Sequence, residues 1–351
     1  MINHEIYIRR CIELAALGAG NVAPNPMVGA VLVYNNKIIG EGYHEKFGNI
    51  HAEVNCITSV QEADRHLIKN STLYVSLEPC AHFGKTPPCA DLIIQQNIQH
   101  VVIGCNDSFE KVNGAGVSKL NAAGIKVEVG ILEDECVDLN KRFFTFYNSK
   151  RPYIILKWAQ SNDGFIAGEN FTKIKISNIY TDRLVHKWRS HEAAILVGAN
   201  TVQTDNPTLT TRNWSGKNPV RVIIDMSLKL KDDVNVFNTD ADTIIINSML
   251  NATKNNVEFY KINEHQSATG AILECLYKRQ INSVIIEGGT KTLQYFINAG
   301  LWDEARVITN TTLFLTKGVN APLLNGKKII SSLNVFTDKI DFFLNNNNDP
   351  L

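Results

Sequence analysis

The chain has 351 residues, of which 44% are hydrophobic and 20% charged, enough for two globular domains at roughly 100–200 residues each. Lys and Arg total 35 and Asp and Glu total 35, a formal net charge of zero, which counts against a nucleic-acid-coating surface. No apolar stretch is long enough to span a membrane, the start Met1-Ile2-Asn3-His4-Glu5 lacks a basic region leading into an apolar core, and the seven cysteines are odd in number and scattered, so the expectation is a cytoplasmic protein with free or metal-bound thiols and neither a membrane nor a nucleic-acid partner.

Apolar residues at helical spacing (Ile8, Cys11, Ile12, Ala15) predict a helix over 5–18, closed by Gly18 and Gly20. Pro24-Asn25-Pro26 reads as a turn, Val28–Tyr34 as a buried strand, and Asn35-Asn36 as the turn into a strand over 37–40. A helix is expected from Ala52 to about Ser59, a strand over Thr72–Leu77, a helix over 89–96 and strands over 100–104 and 125–129. Residues 133–150 read as helix and connector, and Arg151-Pro152 opens a new strand. This places the domain boundary near 146–151, giving domains 1–146 and 151–344. The second half repeats the alternation, with strands over 153–157, 194–197, 220–225, 243–247, 283–287 and 305–309 and helices near 178–190, 271–279 and 290–299. Both halves are therefore expected to be α/β. The tail Asn345-Asn346-Asn347-Asn348-Asp349 is expected to fray.

Two short segments carry chemistry. His51-Ala52-Glu53 precedes the strand 72–77, and Glu78-Pro79-Cys80 through Pro87-Pro88-Cys89 follows it. One imidazole and two thiolates (His51, Cys80, Cys89) would hold Zn2+ and leave a fourth position for water, the ligand count of a catalytic zinc site. Such a metal lowers the pKa of its water to about 7. Glu53, two residues past the histidine, is placed to move protons, and the order His-x-Glu then Pro-Cys is that of zinc nucleobase deaminases. A structural zinc completed by Cys56 and His82 stays open, as does a non-catalytic zinc-stabilised binding module. Cys11, Cys105, Cys136 and Cys275 are bystanders in this reading.

The segments Pro24-Asn25-Pro26-Met27-Val28-Gly29, Gly40-Glu41-Gly42-Tyr43-His44, Gly48-Asn49-Ile50-His51-Ala52-Glu53 and the loop ending Gly84-Lys85-Thr86-Pro87-Pro88-Cys89 resemble the bifunctional deaminase/reductase family of riboflavin biosynthesis. The loop between the cysteines is long, whereas nucleic-acid and cytidine deaminases keep two residues there. The resemblance implies a cytidine-deaminase-like three-layer N-terminal domain acting on a small phosphorylated pyrimidine, with substrate contacts at Asn25, His44, His82, Lys85 and Thr86. Lys85 suits a phosphate, and Asn25 offers both donor and acceptor to a pyrimidine edge. After the fourth strand the chain departs from the family pattern with Asn106-Asp107-Ser108-Phe109.

In the second half, Lys157 to Gly164, Gly198 to Arg212 and Ile285-Ile286-Glu287-Gly288-Gly289-Thr290 resemble the family's reductase domain. The resemblance implies a dihydrofolate-reductase-like fold and NADPH as cofactor. Gly288-Gly289 between a strand and a helix admits a pyrophosphate, though as a local pattern it is as often a plain turn. No Gly-x-Gly-x-x-Gly is present, so a Rossmann site is not supported. Carried over by position, Ala159, Ser177, Thr201, Asp205 and the run Gly289, Thr290, Lys291, Thr292, Leu293, Gln294 and Tyr295 would line the cofactor. Arg189, Leu209, Arg212 and Glu287 would contact substrate. Lys173 and Lys175 stand where the family has a hydroxyl and an aromatic residue.

The expected function is thus two steps of riboflavin synthesis in one chain: deamination of 2,5-diamino-6-ribosylamino-4(3H)-pyrimidinone 5′-phosphate, then reduction of its ribosyl chain. The resemblance also implies a homo-oligomer. The alternative is a nucleoside or RNA-base zinc deaminase with an unrelated C-terminal domain.

Overall fold

The computed structural model describes residues 3–83, 87–107, 114–262 and 267–345. The chain divides into two compact units, Met1–Lys150 and Arg151–Leu351. Among the described residues no helix is long and apolar enough to cross a membrane.

The first unit is built on five strands: β1 (Gly29–Tyr34), β2 (Lys37–Tyr43), β3 (Thr72–Leu77), β4 (His100–Cys105) and β5 (Lys126–Val129). Their order is β2-β1-β3-β4-β5. β1 runs antiparallel to both β2 and β3, while β3, β4 and β5 are mutually parallel. Six helices cover the sheet: α1 (His4–Ala16), α2 (Ala52–Thr58), α3 (Cys89–Gln95), α4 (Ala115–Ala122), α5 (Glu133–Leu139) and α6 (Lys141–Ser149). A 3-10 segment, Glu62–Asn70, leads into β3.

Alternating residues of the central strands point to opposite faces, as the two-residue strand period requires. Leu32, Leu73, Val75 and Val101 pack with Cys56 of α2, Ile93 of α3 and Leu120 of α4. Val31, Val33, Tyr74 and Val102 pack with Ile8 of α1, Cys136 of α5 and Phe143 of α6. The result is the three-layer arrangement expected from the sequence. The segment predicted as helix and connector is two helices, α5 and α6, meeting at Asn140.

The second unit carries β6 (Tyr153–Ser161), β7 (Phe165–Ala167), β8 (Ala194–Gly198), β9 (Val220–Ile224), β10 (Thr243–Asn247), β11 (Ala252–Lys254), β12 (Val257–Lys261), β13 (Ser283–Gly288), β14 (Glu304–Asn310), β15 (Val319–Asn320), β16 (Ile329–Val335) and β17 (Asp338–Leu344). Ten of these form one sheet in the order β11-β12-β10-β9-β8-β13-β6-β14-β17-β16, and β7 pairs with β15. The strands from β12 to β14 in that order run parallel; β11, β17 and β16 pair antiparallel. Helices α7 (Ile179–His191), α8 (Ala199–Asp205), α9 (Ala268–Lys278) and α10 (Thr290–Asn298) flank them. One face holds Leu196, Ile246 and Ile286 against Leu276 of α9 and Phe296 of α10. The other holds Ile195, Ile223 and Ile285 against Val202 of α8.

Two expectations need correction. The strand predicted to end at Lys157 runs on to Ser161, because β14 keeps pairing with it through Asn310↔Ser161. Asn345, expected to fray, is buried: its amide donates to Gly300 O and Trp302 O and accepts from Lys327 Nζ. Residues 346–349 lie outside the described residues.

Candidate active sites

Three element ends meet at the carboxyl side of β3. His51 is the N-cap of α2, Cys80 lies just beyond β3, and Cys89 opens α3. His51 Nδ1 stands 3.5 Å from Cys80 Sγ and 3.3 Å from Cys89 Sγ. The three ligand atoms all lie within 4.8 Å of one another. A tetrahedral zinc with Zn–N of about 2.0 Å and Zn–S of about 2.3 Å separates such atoms by roughly 3.5 Å, so this donor set fits that ion. Cys56 and His82, which would complete a four-ligand structural site, are not part of this group among the described residues.

Glu53, in the first turn of α2, is 3% exposed. Burial, reinforced by the neighbouring Cys80 sulfur, pushes its carboxyl up to about 6. The Cys80 thiol moves the other way, lowered chiefly because the Cys89 thiol hydrogen-bonds to it. Burial also lowers the pKa of His44. The His44 ring sits edge-on to His51, centroids 5.6 Å apart. Its Nδ1 lies 3.1 Å from the carbonyl of Ile50 and must therefore carry the hydrogen. Nε2 then accepts from Asn25 Nδ2 at 3.2 Å, which sets which end of the Asn25 amide faces the ring. Of the other expected substrate contacts, His82 is exposed, and Lys85 and Thr86 lie outside the described residues.

The second unit contains a cavity of about 920 Å³, of the size that takes a cofactor. Ala159, Ser177, Thr201 and Asp205 line one part of it, and Glu287 with Gly289 to Leu293 another. Lys173 and Lys175 also line it; Lys173 Nζ donates to Asp205 O, and Lys175 pairs with Asp182. Gln294 and Tyr295 do not: Gln294 accepts from Leu323 N, and Tyr295 is exposed.

Glu287, at the end of β13, has a side chain only 6% exposed and holds two cations. Arg189 of α7 reaches it by Nε and Nη2, both at 2.7 Å, and Lys157 of β6 by Nζ at 3.2 Å. Burial alone would raise this carboxyl, but Arg189 and Lys157 hold it at about 2. Arg189, Leu209 and Arg212 stand off the cavity lining. Arg189 Nη1 donates to Thr210 O, and Arg212 Nη1 to Thr208 Oγ1. Sequence reasoning did not single out these two threonines, although both lie inside the segment quoted for its resemblance. It also missed His186, one helical turn before Arg189, which is buried and pushed down to about 4 by that burial.

Residues 1–105 match the family profile for the cytidine and deoxycytidylate deaminase zinc-binding region, and residues 152–319 that for the RibD C-terminal domain. Riboflavin biosynthesis protein RibD of Aquifex aeolicus is 38% identical over 345 residues, 95% of this chain and 94% of that protein. Its Escherichia coli counterpart is 33% identical over 318 residues, 86% of this chain and 85% of that protein. The crystal structure of a diaminohydroxyphosphoribosylaminopyrimidine deaminase/5-amino-6-(5-phosphoribosylamino)uracil reductase from Thermotoga maritima superposes with a TM-score of 0.89 at 37% identity, covering 97% of this chain and 98% of that one. RibD of Acinetobacter baumannii gives 0.86 at 30% identity, with the same coverage. With matches running the length of both halves, the chain belongs to the RibD family of riboflavin biosynthesis, a zinc-region deaminase followed by a reductase.

Proposed function

We propose that the first unit hydrolyses the exocyclic amine of 2,5-diamino-6-ribosylamino-4(3H)-pyrimidinone 5′-phosphate. The second then reduces the ribosyl chain with NADPH to give 5-amino-6-ribitylaminouracil 5′-phosphate. The observation that carries this reading is the meeting of His51, Cys80 and Cys89 with a buried Glu53 beside them. His51, Cys80 and Cys89 would hold Zn2+, which when bound supplies an activated water. Glu53 would carry one proton from the attacking water to the pyrimidine ring nitrogen and a second, from the hydroxyl so formed, to the departing amine, which leaves as ammonia. His44 orients Asn25 against the pyrimidine edge. His82, Lys85 and Thr86 belong to the loop assigned to the substrate and its phosphate.

In the second unit, Ala159, Ser177, Thr201, Asp205 and the start of α10 would hold NADPH, which supplies the hydride. The N–H groups that open a helix are suited to its phosphates. Glu287 fixes Arg189 and Lys157, and Arg189 and Arg212 would meet the substrate phosphate. The chemistry asks the chain for placement of two bound partners.

Purified protein given Zn2+, NADPH and the diaminopyrimidine phosphate should release ammonia and oxidise NADPH. Glu53→Gln should lose ammonia release yet still oxidise NADPH when supplied with the deaminated substrate. Ammonia release from cytidine or adenosine in place of the diaminopyrimidine overturns the substrate assignment.

A further inference from the structure

Glu78 has no part in the chemistry above, yet its carboxylate accepts four backbone hydrogen bonds beside the metal-ligand residues. It directly precedes Pro79-Cys80 and is 4% exposed. Its Oε1 accepts from the backbone N–H of Gly116 at 2.9 Å and Val117 at 3.1 Å. Its Oε2 accepts from Gly114 N at 3.0 Å and Asp107 N at 3.2 Å. Four backbone donors thus converge on one side chain. α4 has no side-chain cap of its own, because its N-cap residue is Gly114. Glu78 satisfies that helix start from another element, where a carboxylate is favoured by the helix dipole.

The fit is close on both sides. A Cβ on Gly116 would fall 2.1 Å from Pro79 O and 3.1 Å from Glu78 Oε1, so only glycine lets α4 approach the peptide before Cys80. α4 also reaches the second cysteine's helix, through Lys119 Nζ to Asp91 Oδ1 at 2.5 Å. Asp107 follows β4, the parallel neighbour of β3. Ligands of parallel α/β sheets bind beyond the carboxyl ends of such strands.

We propose that Glu78 is a positioning residue of the deaminase site, holding Asp107 and the first turn of α4 against the backbone that carries Cys80. Glu53 stands on α2 and His51 caps it, whereas the four hydrogen bonds described for the Glu78 carboxylate go to Asp107 and to Gly114, Gly116 and Val117 at the start of α4. Loosening the clamp therefore shifts a wall of the substrate site while leaving the proton-moving group and its helix in place. An interaction made equally with bound substrate and transition state shows in KM and spares kcat.

The inference rests on the deaminase reading above, and its test separates the two. Ammonia release from the diaminopyrimidine phosphate is measured for the full-length wild type, Glu78→Gln and Gly116→Ala. Gln presents an amide N–H where Oε2 accepts two donors, and Ala forces α4 off Pro79. Each variant should raise KM by about tenfold, the effect of losing hydrogen bonds to one charged group. Wild-type kcat, bound zinc and NADPH oxidation should be kept. No ammonia release by wild type sinks the deaminase reading. An active wild type with KM unchanged in either folded variant sinks the role of Glu78. So does loss of zinc and kcat at constant KM, which would make Glu78 a prop for the metal ligand alone. If Glu78→Gln does not fold, Gly116→Ala decides; if neither folds, Glu78 is structural and the proposal fails.

Discussion

Replacing Glu287 by Gln removes the single negative charge shared by Arg189 and Lys157 and leaves both cations buried, with side chains 13% and 12% exposed. Two routes give the size of the effect. Glu287 is held at about 2 in the folded chain, against about 4.3 for a free glutamate, and a difference of about two units corresponds to about 3 kcal/mol near neutral pH. Breaking a buried ion pair by deleting one partner costs about 3–5 kcal/mol. For a unit of about 200 residues, each kcal/mol moves the melting temperature by about 2–4 °C, so the reductase transition should fall by roughly 6–12 °C. The sign with pH follows from the depressed pKa: the contribution is complete above the unfolded value and is lost as pH falls toward 2. Calorimetry of wild type and Glu287→Gln from pH 7 down to about pH 3, between the unfolded and folded values, measures both effects. The wild-type transition should drop toward the variant on acidification. A neutral-pH difference under about 2 °C, or an identical acid slope in both proteins, refutes the buried-pair account.

Two further outcomes bear on the deaminase half. A Cβ on Gly42 would lie 2.3 Å from Cys56 N, so Gly42→Ala should push α2, with His51 and Glu53, off β2 at a cost of about 1–3 kcal/mol. Bound zinc and ammonia release should fall together, with NADPH oxidation of the deaminated substrate unchanged; metal analysis beside both assays checks this. A chelator should abolish ammonia release, Zn2+ should restore it, and the reductase rate should ignore both treatments. A reductase that needs the metal contradicts the division of labour.

The metal site was legible because ligand chemistry allows few residue types, and His51, Cys80 and Cys89 are spaced around a run, Thr72–Leu77, too apolar to be anything but a buried strand. Helix α8 was not legible: Ala199–Asp205 is polar and short, and its buried residues are Ala199 and Val202, of which Val202 packs into the core cluster. Helix α4 was not read from the sequence: its N-cap is Gly114, with no side chain to mark a helix start, and the Glu78 carboxylate caps it from another element. The β16–β17 hairpin carries exposed Ser331 and Ser332 amid apolar residues and shows no clean alternation. The Arg189–Glu287 pair joins residues 98 positions apart, a distance over which no local pattern speaks. Family resemblance named both residues but not their bond.

The pinning of Cys89 to Cys80 has an evolutionary consequence. Cys89 N donates to Cys80 Sγ at 3.3 Å, and Ala90 N to Cys80 O at 3.1 Å, so the chain between the cysteines leaves and re-enters at almost the same point. Lengthening such a closed excursion adds little entropy cost, about 0.6 kcal/mol per doubling, and need not disturb the ligand geometry. The spacer is in effect an interchangeable cassette. On the proposed reading of this loop as the substrate-facing one, a lineage that lengthens, shortens or rewrites it changes the substrate accepted and inherits the metal ligands at its two ends unchanged.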